Sequence, residues 1–182
     1  MSPRVFYSLV AALFIGVFWM VGAYNRLMAL RTGIGQAWAK VDEALRQRSA
    51  AATPLLAALR EPMAAEQGAL DAVQAALAAA TRAAGLMGSK PVVEAHAAAW
   101  VAAEATLSAS TTRLFALLDQ HAALREQADV AAGARDWRDA DSRLVFTRQL
   151  FNEAGQAYNA AIALFPTRLL VPLFRFGKAG RI

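Results

Sequence analysis

The chain has 182 residues, a net charge of +5 and no cysteine. The lack of cysteine excludes disulfides, thiolate metal sites and cysteine nucleophiles. The basic residues do not form a cluster interleaved with aromatic side chains, so nucleic acid is not the expected partner. Hydrophobic residues make up 57% of the chain, and 45 of these are alanines, which favour helix.

An uncharged apolar run, residues 5–23, opens the chain. Its length matches that of a helix crossing about 30 Å of hydrocarbon, so we predict a transmembrane anchor over residues 1–23. A cleaved signal peptide shares this pattern, but the one candidate cleavage sequence, Val21-Gly22-Ala23, directly abuts a predicted helix. Arg4 precedes the run, and Arg26 and Arg31 follow it, so the charges do not decide the side of the membrane.

The first helix of the soluble domain follows the anchor without a linker. Its apolar residues lie on one helical face, at Leu27, Ile34, Trp38, Val41 and Leu45. We predict that Pro54 kinks or interrupts this helix, because proline removes an amide donor and clashes with the preceding turn. A second break is predicted at Glu61-Pro62.

Two further helices are predicted in the middle of the chain. The second helix carries Met63, Leu70, Val73 and Leu77 and ends in a predicted loop over residues 85–91. The third helix has a mainly apolar stripe that ends in polar sequence near residues 125–129. Its members are Trp100, Leu107, Thr111, Leu114, Leu118 and His121.

The fourth helix, predicted from Asp129, places Leu144, Phe151, Tyr158 and Phe165 at seven-residue intervals and ends near Pro166. Four such helices predict an all-α fold, an antiparallel long-helix bundle over residues 24–166. The alternative is three helices, with the first two continuous through Pro62.

Residues 167–182 form a predicted basic amphipathic tail. It combines aromatic side chains with cations and contains no acidic residue, as segments at a lipid interface do. It could equally cap the bundle. The residues predicted to contact lipid are Arg168, Phe174, Arg175, Phe176, Lys178 and Arg181.

No pattern of residues points to a reaction. The chain has no phosphate-binding glycine loop, nucleophile elbow or Ser/His/Asp arrangement. His96 and His121 lie 25 residues apart without convergent carboxylates, so no metal is expected. The carboxylates Asp136, Asp139 and Asp141 scatter around a helix and are interpreted as a solvated face. We therefore expect no catalytic residue and no cofactor.

An ordered set of short motifs carries a resemblance to the LemA family. After the anchor come Tyr24-Asn25-Arg26-Leu27, Trp38, Val41-Asp42, Arg46 and Arg48, then Arg148, Asn152, Tyr158-Asn159 and Phe165-Pro166. The resemblance implies a bacterial single-pass membrane protein with a long-helix bundle and no established enzymatic activity. The chain departs from the family pattern at residues 49–56, where polar residues are lost, and at residues 121–124, which replace a usual proline turn.

On an ideal helix Arg148, Asn152 and Asn159 lie within about 40° of one another, beside the apolar seam. A link from Asp42, which is one turn from Arg46, to Arg148 or to the asparagines is predicted to set helix register rather than to add stability. The alternative is a ligand-binding strip.

The expected function is a membrane-anchored scaffold or adaptor that binds the bilayer and other membrane or envelope proteins. The alternative is a membrane-surface or lipid-binding remodelling module, since a magnetosome branch of the same family is tied to vesicle formation. The resemblance places the chain in the bacterial inner membrane. Lipoprotein-anchored relatives favour the extracytoplasmic side for the bundle.

Overall fold

A computed structural model describes residues 3–182, apart from the side chain of Val5. Helix α1, Pro3–Arg60, runs without a break from the apolar segment into the bundle. The predicted anchor, residues 1–23, begins two residues before the described part. An 18-residue window near the start of α1 has a mean hydropathy of 2.0 and is not buried against the rest of the chain. This helix is therefore long and apolar enough to cross a membrane.

Pro54 does not interrupt the helix, one of the two predicted outcomes, because α1 continues through this residue to Arg60. Pro54 faces solvent. The carbonyl that loses its helical partner at an exposed proline can accept a hydrogen bond from water instead. The second predicted break is found, since the helix ends just before Glu61-Pro62.

Helix α2, Gln67–Ser89, follows a 3₁₀ turn at Ala64–Glu66. Most of the loop predicted over residues 85–91 is thus helical. A Cβ atom at Gly88 would lie 3.3 Å from Trp38 Nε1, so this glycine permits close packing on α1. Helix α3, Glu94–Leu118, begins after a short turn containing Pro91.

The second half of the chain contains one long helix between short ones. Helix α4, Ala122–Arg125, precedes α5, Ala128–Ala163. A 3₁₀ turn at Thr167–Leu169 then leads into α6, Leu170–Phe174. Phe165 was predicted to continue the α5 seam, but α5 ends before it and its side chain is 77% exposed.

The all-α prediction is confirmed, since residues 3–182 contain no strand. Four of the six helices in this range, α1, α2, α3 and α5, are long and correspond to the four predicted ones, and the three-helix alternative is wrong because α1 ends at Arg60. Helix α5 packs along α1, α2 packs along α3, and α1 also contacts α2.

Two apolar clusters form the core. One includes Leu27, Ile34, Trp38, Trp100 and Phe151. The other lies toward the far end of the bundle and includes Leu55, Leu59, Leu70, Leu107 and Trp137. All three bundle tryptophans, Trp38, Trp100 and Trp137, are buried.

The tail completes the end of the bundle nearest the apolar segment. Trp38 packs its ring against that of Trp100 in the second turn of α3, so the α2–α3 turn lies only about 10 Å beyond this level. Beyond the turn α1 and α5 continue as a pair. The buried side chains of Phe176, Ala179 and Ile182 join the core there. The tail thus occupies space that the shorter α2–α3 hairpin leaves free.

Candidate functional site

A buried charged network crosses the middle of the bundle. Arg48 of α1 donates to both carboxylate oxygens of Glu104 on α3, at 2.7 and 2.8 Å. It also donates to Asp141 of α5 at 3.3 Å. Asp141 in turn accepts a 2.9 Å hydrogen bond from Trp137 Nε1. Arg48 is 5% exposed and Glu104 7%.

This network lies between the two core clusters. Each of the three helices contributes one charged residue, and that residue lies between apolar residues of the two clusters. On α1, for example, Arg48 lies between Leu45 of the first cluster and Ala52 of the second. Burial alone would lower the pKa of Arg48, but the hydrogen bonds and charges of Glu104 and Asp141 outweigh it and raise the pKa. The guanidinium stays charged, so the network can fix the register of α1, α3 and α5.

This network differs from the predicted cross-bundle link between Asp42 and Arg148 or the asparagines. Asp42 pairs instead with Arg46 on the same helix, at 3.2 Å and on the surface. Asp141 was interpreted as solvated, yet it contacts Arg48. The sequence does contain a signal for the burial of Arg48, because this residue lies seven positions from both Val41 and Leu55 and therefore on the apolar stripe.

Two asparagines of α5 hold the tail by its main chain. Asn159 Nδ2 donates to the carbonyl of Ala179 at 2.9 Å, and its Oδ1 accepts from the Ala179 amide at 2.8 Å. Asn152 makes the same pair of bonds with Ile182, at 2.6 and 2.8 Å.

The spacing of the two asparagines along α5 explains how both can bind the main chain of the tail. Seven helical residues rise about 10.5 Å, and three residues of extended chain span about 10 Å. Asn152 and Asn159 therefore match the separation of Ile182 and Ala179. We call these four residues the asparagine clamp. It uses the polar strip of α5 to bind a segment of the same chain.

Replacing Asn159 with aspartate is expected to loosen the tail. The acid keeps an acceptor for the Ala179 amide, but it removes the donor and places a carboxylate against the Ala179 carbonyl. We expect a loss of about 1–3 kcal/mol in local stability, measured as faster hydrogen exchange at the amides of Ala179 and Ile182. Gln156→Glu makes the same amide-to-acid change at an exposed α5 position and serves as control. Equal exchange in the two variants would contradict the clamp.

Five large apolar side chains are exposed where α5 ends and α6 begins. They belong to Leu164, Phe165, Leu169, Leu173 and Phe174. We call this set the α5–α6 patch. Beside it, the ring of Tyr24 contacts that of Phe174, with centroids 4.8 Å apart. The patch thus lies against the point where the apolar segment of α1 ends.

The other predicted site residues are spread over the bundle. Arg148 lies over the Trp100 ring, with its guanidinium carbon 5.0 Å from the centroid. Tyr158 is buried, and this burial raises its pKa. Asn25 is exposed, and Pro166 is partly exposed beside the patch.

The tail residues predicted to contact lipid divide into two groups. Phe176 is buried against the core, so its predicted lipid contact is wrong, because its ring packs near Tyr24 instead. Arg168, Phe174, Arg175, Lys178 and Arg181 are exposed. Within residues 3–182 no three histidine or carboxylate side chains converge as a metal site.

The model of the LemA family matches residues 37–181. The chain belongs to the LemA family. The match covers the charged network, the α5–α6 patch and all of the asparagine clamp except Ile182 of this LemA-family protein, whereas Tyr24 and the apolar segment precede it. No curated protein matches the chain.

Proposed function

We propose that this LemA-family protein is a single-pass membrane-anchored scaffold or adaptor without catalytic activity. The observation that carries the proposal is the continuity of α1, which joins the apolar segment to the bundle with no intervening loop. A bundle attached in this way keeps a fixed orientation relative to the helix that crosses the bilayer. It can then present the same side to other membrane or envelope proteins.

A groove between α1 and α5 is the face that best fits a protein partner. Lys40, Glu43 and Gln47 line one side of it, and Arg143 and Phe146 the other. The Phe146 ring is 62% exposed. Phenylalanine and arginine side chains are enriched at protein–protein interfaces relative to the rest of the surface.

Site-specific crosslinking in native membranes tests the adaptor role. A photoreactive residue replacing Phe146 is expected to give a discrete protein adduct that Arg143→Glu weakens. The same residue replacing Leu86, an exposed apolar position on α2, is the control. Equal adducts from both positions, or adducts with lipid alone, would contradict the proposal.

For location, we propose the bacterial inner membrane, with the bundle on its extracytoplasmic side. The chain contains no cysteine, so Phe146→Cys provides a unique thiol. A membrane-impermeant maleimide is expected to label it in intact spheroplasts as well as in lysed ones. Labelling only after lysis would place the bundle in the cytoplasm.

A second candidate function, a membrane-surface or lipid-binding remodelling module, is favoured by the α5–α6 patch. It predicts that the full chain deforms vesicles and that replacing Phe165 and Leu169 with serine abolishes this effect. Vesicles that keep their shape in electron micrographs would exclude it.

A further inference from the structure

The α5–α6 patch contains more than half of the large hydrophobic side chains that are exposed on the described part of the bundle. Outside the apolar segment, nine large hydrophobic side chains are exposed among the described residues, and five of them fall within residues 164–174. Single exposed hydrophobic residues are ordinary, but a contiguous set of this kind marks an interaction surface.

The position of the patch along the bundle is fixed by the pairing of α1 with α5. Trp38 contacts Phe151, and further from the apolar segment Arg143 donates to Gln47 at 2.8 Å. Because the helices are antiparallel, the same register continued past Trp38 places Ala163, the last residue of α5, level with Arg26. The direct contact of Tyr24 with Phe174 agrees with this placement. The patch is therefore level with the end of the membrane-crossing segment.

The direction of the chain changes at the patch. The segment Thr167–Phe174 is bent by 86° from α5. Since α5 runs alongside α1, this segment lies across the bundle axis. With α1 crossing a bilayer, such a segment runs along the membrane surface.

Apolar side chains lie on both sides of this short segment. Leu170 is buried in the bundle, whereas Leu169 and Leu173 point away from it and are exposed. A helix that is apolar all round is normally covered on all sides. The bundle covers one side here, which leaves the other side to be covered by something outside the chain.

The charges around the patch identify what covers it. Arg168, Arg175 and Lys178 are exposed beside it, and Arg26 and Arg31 are exposed on the nearby part of α1. No acidic residue occurs in residues 154–182 or in residues 5–41. Apolar side chains bordered by these cations match the boundary between acyl chains and anionic headgroups.

We propose that residues 164–174 insert into the interface of the same membrane that α1 crosses and form a second point of attachment. The patch residues enter the boundary of the acyl chains, and Arg168 and Arg175 bind lipid phosphates. This inference rests on the proposed anchoring through α1, and it differs from that anchoring because α1 alone would hold a chain whose patch stays in water.

Single cysteines in the full chain test the proposal. An environment-sensitive fluorophore is attached at Phe165→Cys or Leu173→Cys, after reconstitution into vesicles of phosphatidylcholine and phosphatidylglycerol. Phe18→Cys, within the apolar segment, is the membrane reference. Phe146→Cys is the matched aqueous control, because it replaces another exposed phenylalanine, on α5 and further from the apolar segment. Circular dichroism checks that each variant keeps its helical content.

The labels at residues 165 and 173 are expected to emit at shorter wavelength than the label at 146. A nitroxide on the lipid acyl chain is expected to quench them several-fold more strongly. If they behave like the label at 146 while the label at 18 is in lipid, the second attachment is overturned and the anchoring stands. A blue-shifted label that the lipid nitroxide does not quench means that protein covers the patch, which also overturns the proposal. A label at 18 that is in water contradicts the anchoring itself.

Discussion

Replacing Arg48 with methionine is expected to destabilise the bundle by about 3–5 kcal/mol, because it leaves the buried Glu104 carboxylate without its partner. In a domain of this size the loss lowers Tm by on the order of 10 °C. The measurement is thermal unfolding of the full chain in detergent, followed by circular dichroism.

Two further variants distinguish the effect of an unpaired buried charge on stability from the effect of lost side-chain packing. Arg46→Met removes an arginine that also contacts two carboxylates, at 3.2 Å each, but its side chain is 67% exposed. Surface pairs contribute about 0–1 kcal/mol, so Tm should barely change. Arg48→Met with Glu104→Met removes both buried charges and is expected to recover most of the stability. If the double variant is as unstable as the single one, unpaired charge is not the cause.

A valine at Gly180 is expected to release the tail from the bundle. A Cβ atom at this position would lie 2.6 Å from Ala97 Cβ and 2.9 Å from Glu94 Cα. Both atoms are fixed to the α3 backbone and cannot move aside as a flexible side chain would. The tail must then give up both the asparagine clamp and the burial of Ile182.

Limited trypsin digestion measures this release, since the tail contains Arg175, Lys178 and Arg181 as cleavage sites. Cleavage of the Gly180→Val chain is expected to be faster by on the order of tenfold or more, because proteolysis follows the population of the open form. Gly177→Val is the matched control, as nothing lies within 4 Å of its added Cβ. Unchanged cleavage at position 180, or equal acceleration at 177, would show that the close approach to α3 does not hold the tail.

Helical periodicity accounts for the success of the fold prediction. A continuous apolar stripe identifies a buried helical face directly, as Leu144, Phe151 and Tyr158 do on α5. Proline and glycine were weaker guides. Pro54 is tolerated because it faces solvent, and Gly88 serves contact with Trp38 rather than a turn. Neither circumstance is visible in one sequence.

The polar contacts were harder to predict, because they depend on which helices become neighbours. Asn152 and Asn159 were recognised as a strip beside the core, but their partner is the main chain of the tail, which has no side-chain signature. Asp42 and Asp141 show the same limit. Both lie on helix surfaces, and only the three-dimensional packing directs Asp141 to Arg48 and leaves Asp42 with Arg46.

The unbroken course of α1 has a mechanical consequence under the proposed anchoring. The part of the helix beyond the apolar segment, Tyr24 to Arg60, is about 55 Å long. A change of about 10° in the tilt of the segment, well within the range seen for membrane helices, would displace the far end of the bundle by about 10 Å. Helix tilt responds to bilayer thickness, so a thinner or thicker membrane would move the distal surface sideways. The position of any protein bound along the side of the bundle would then depend on the thickness of the membrane.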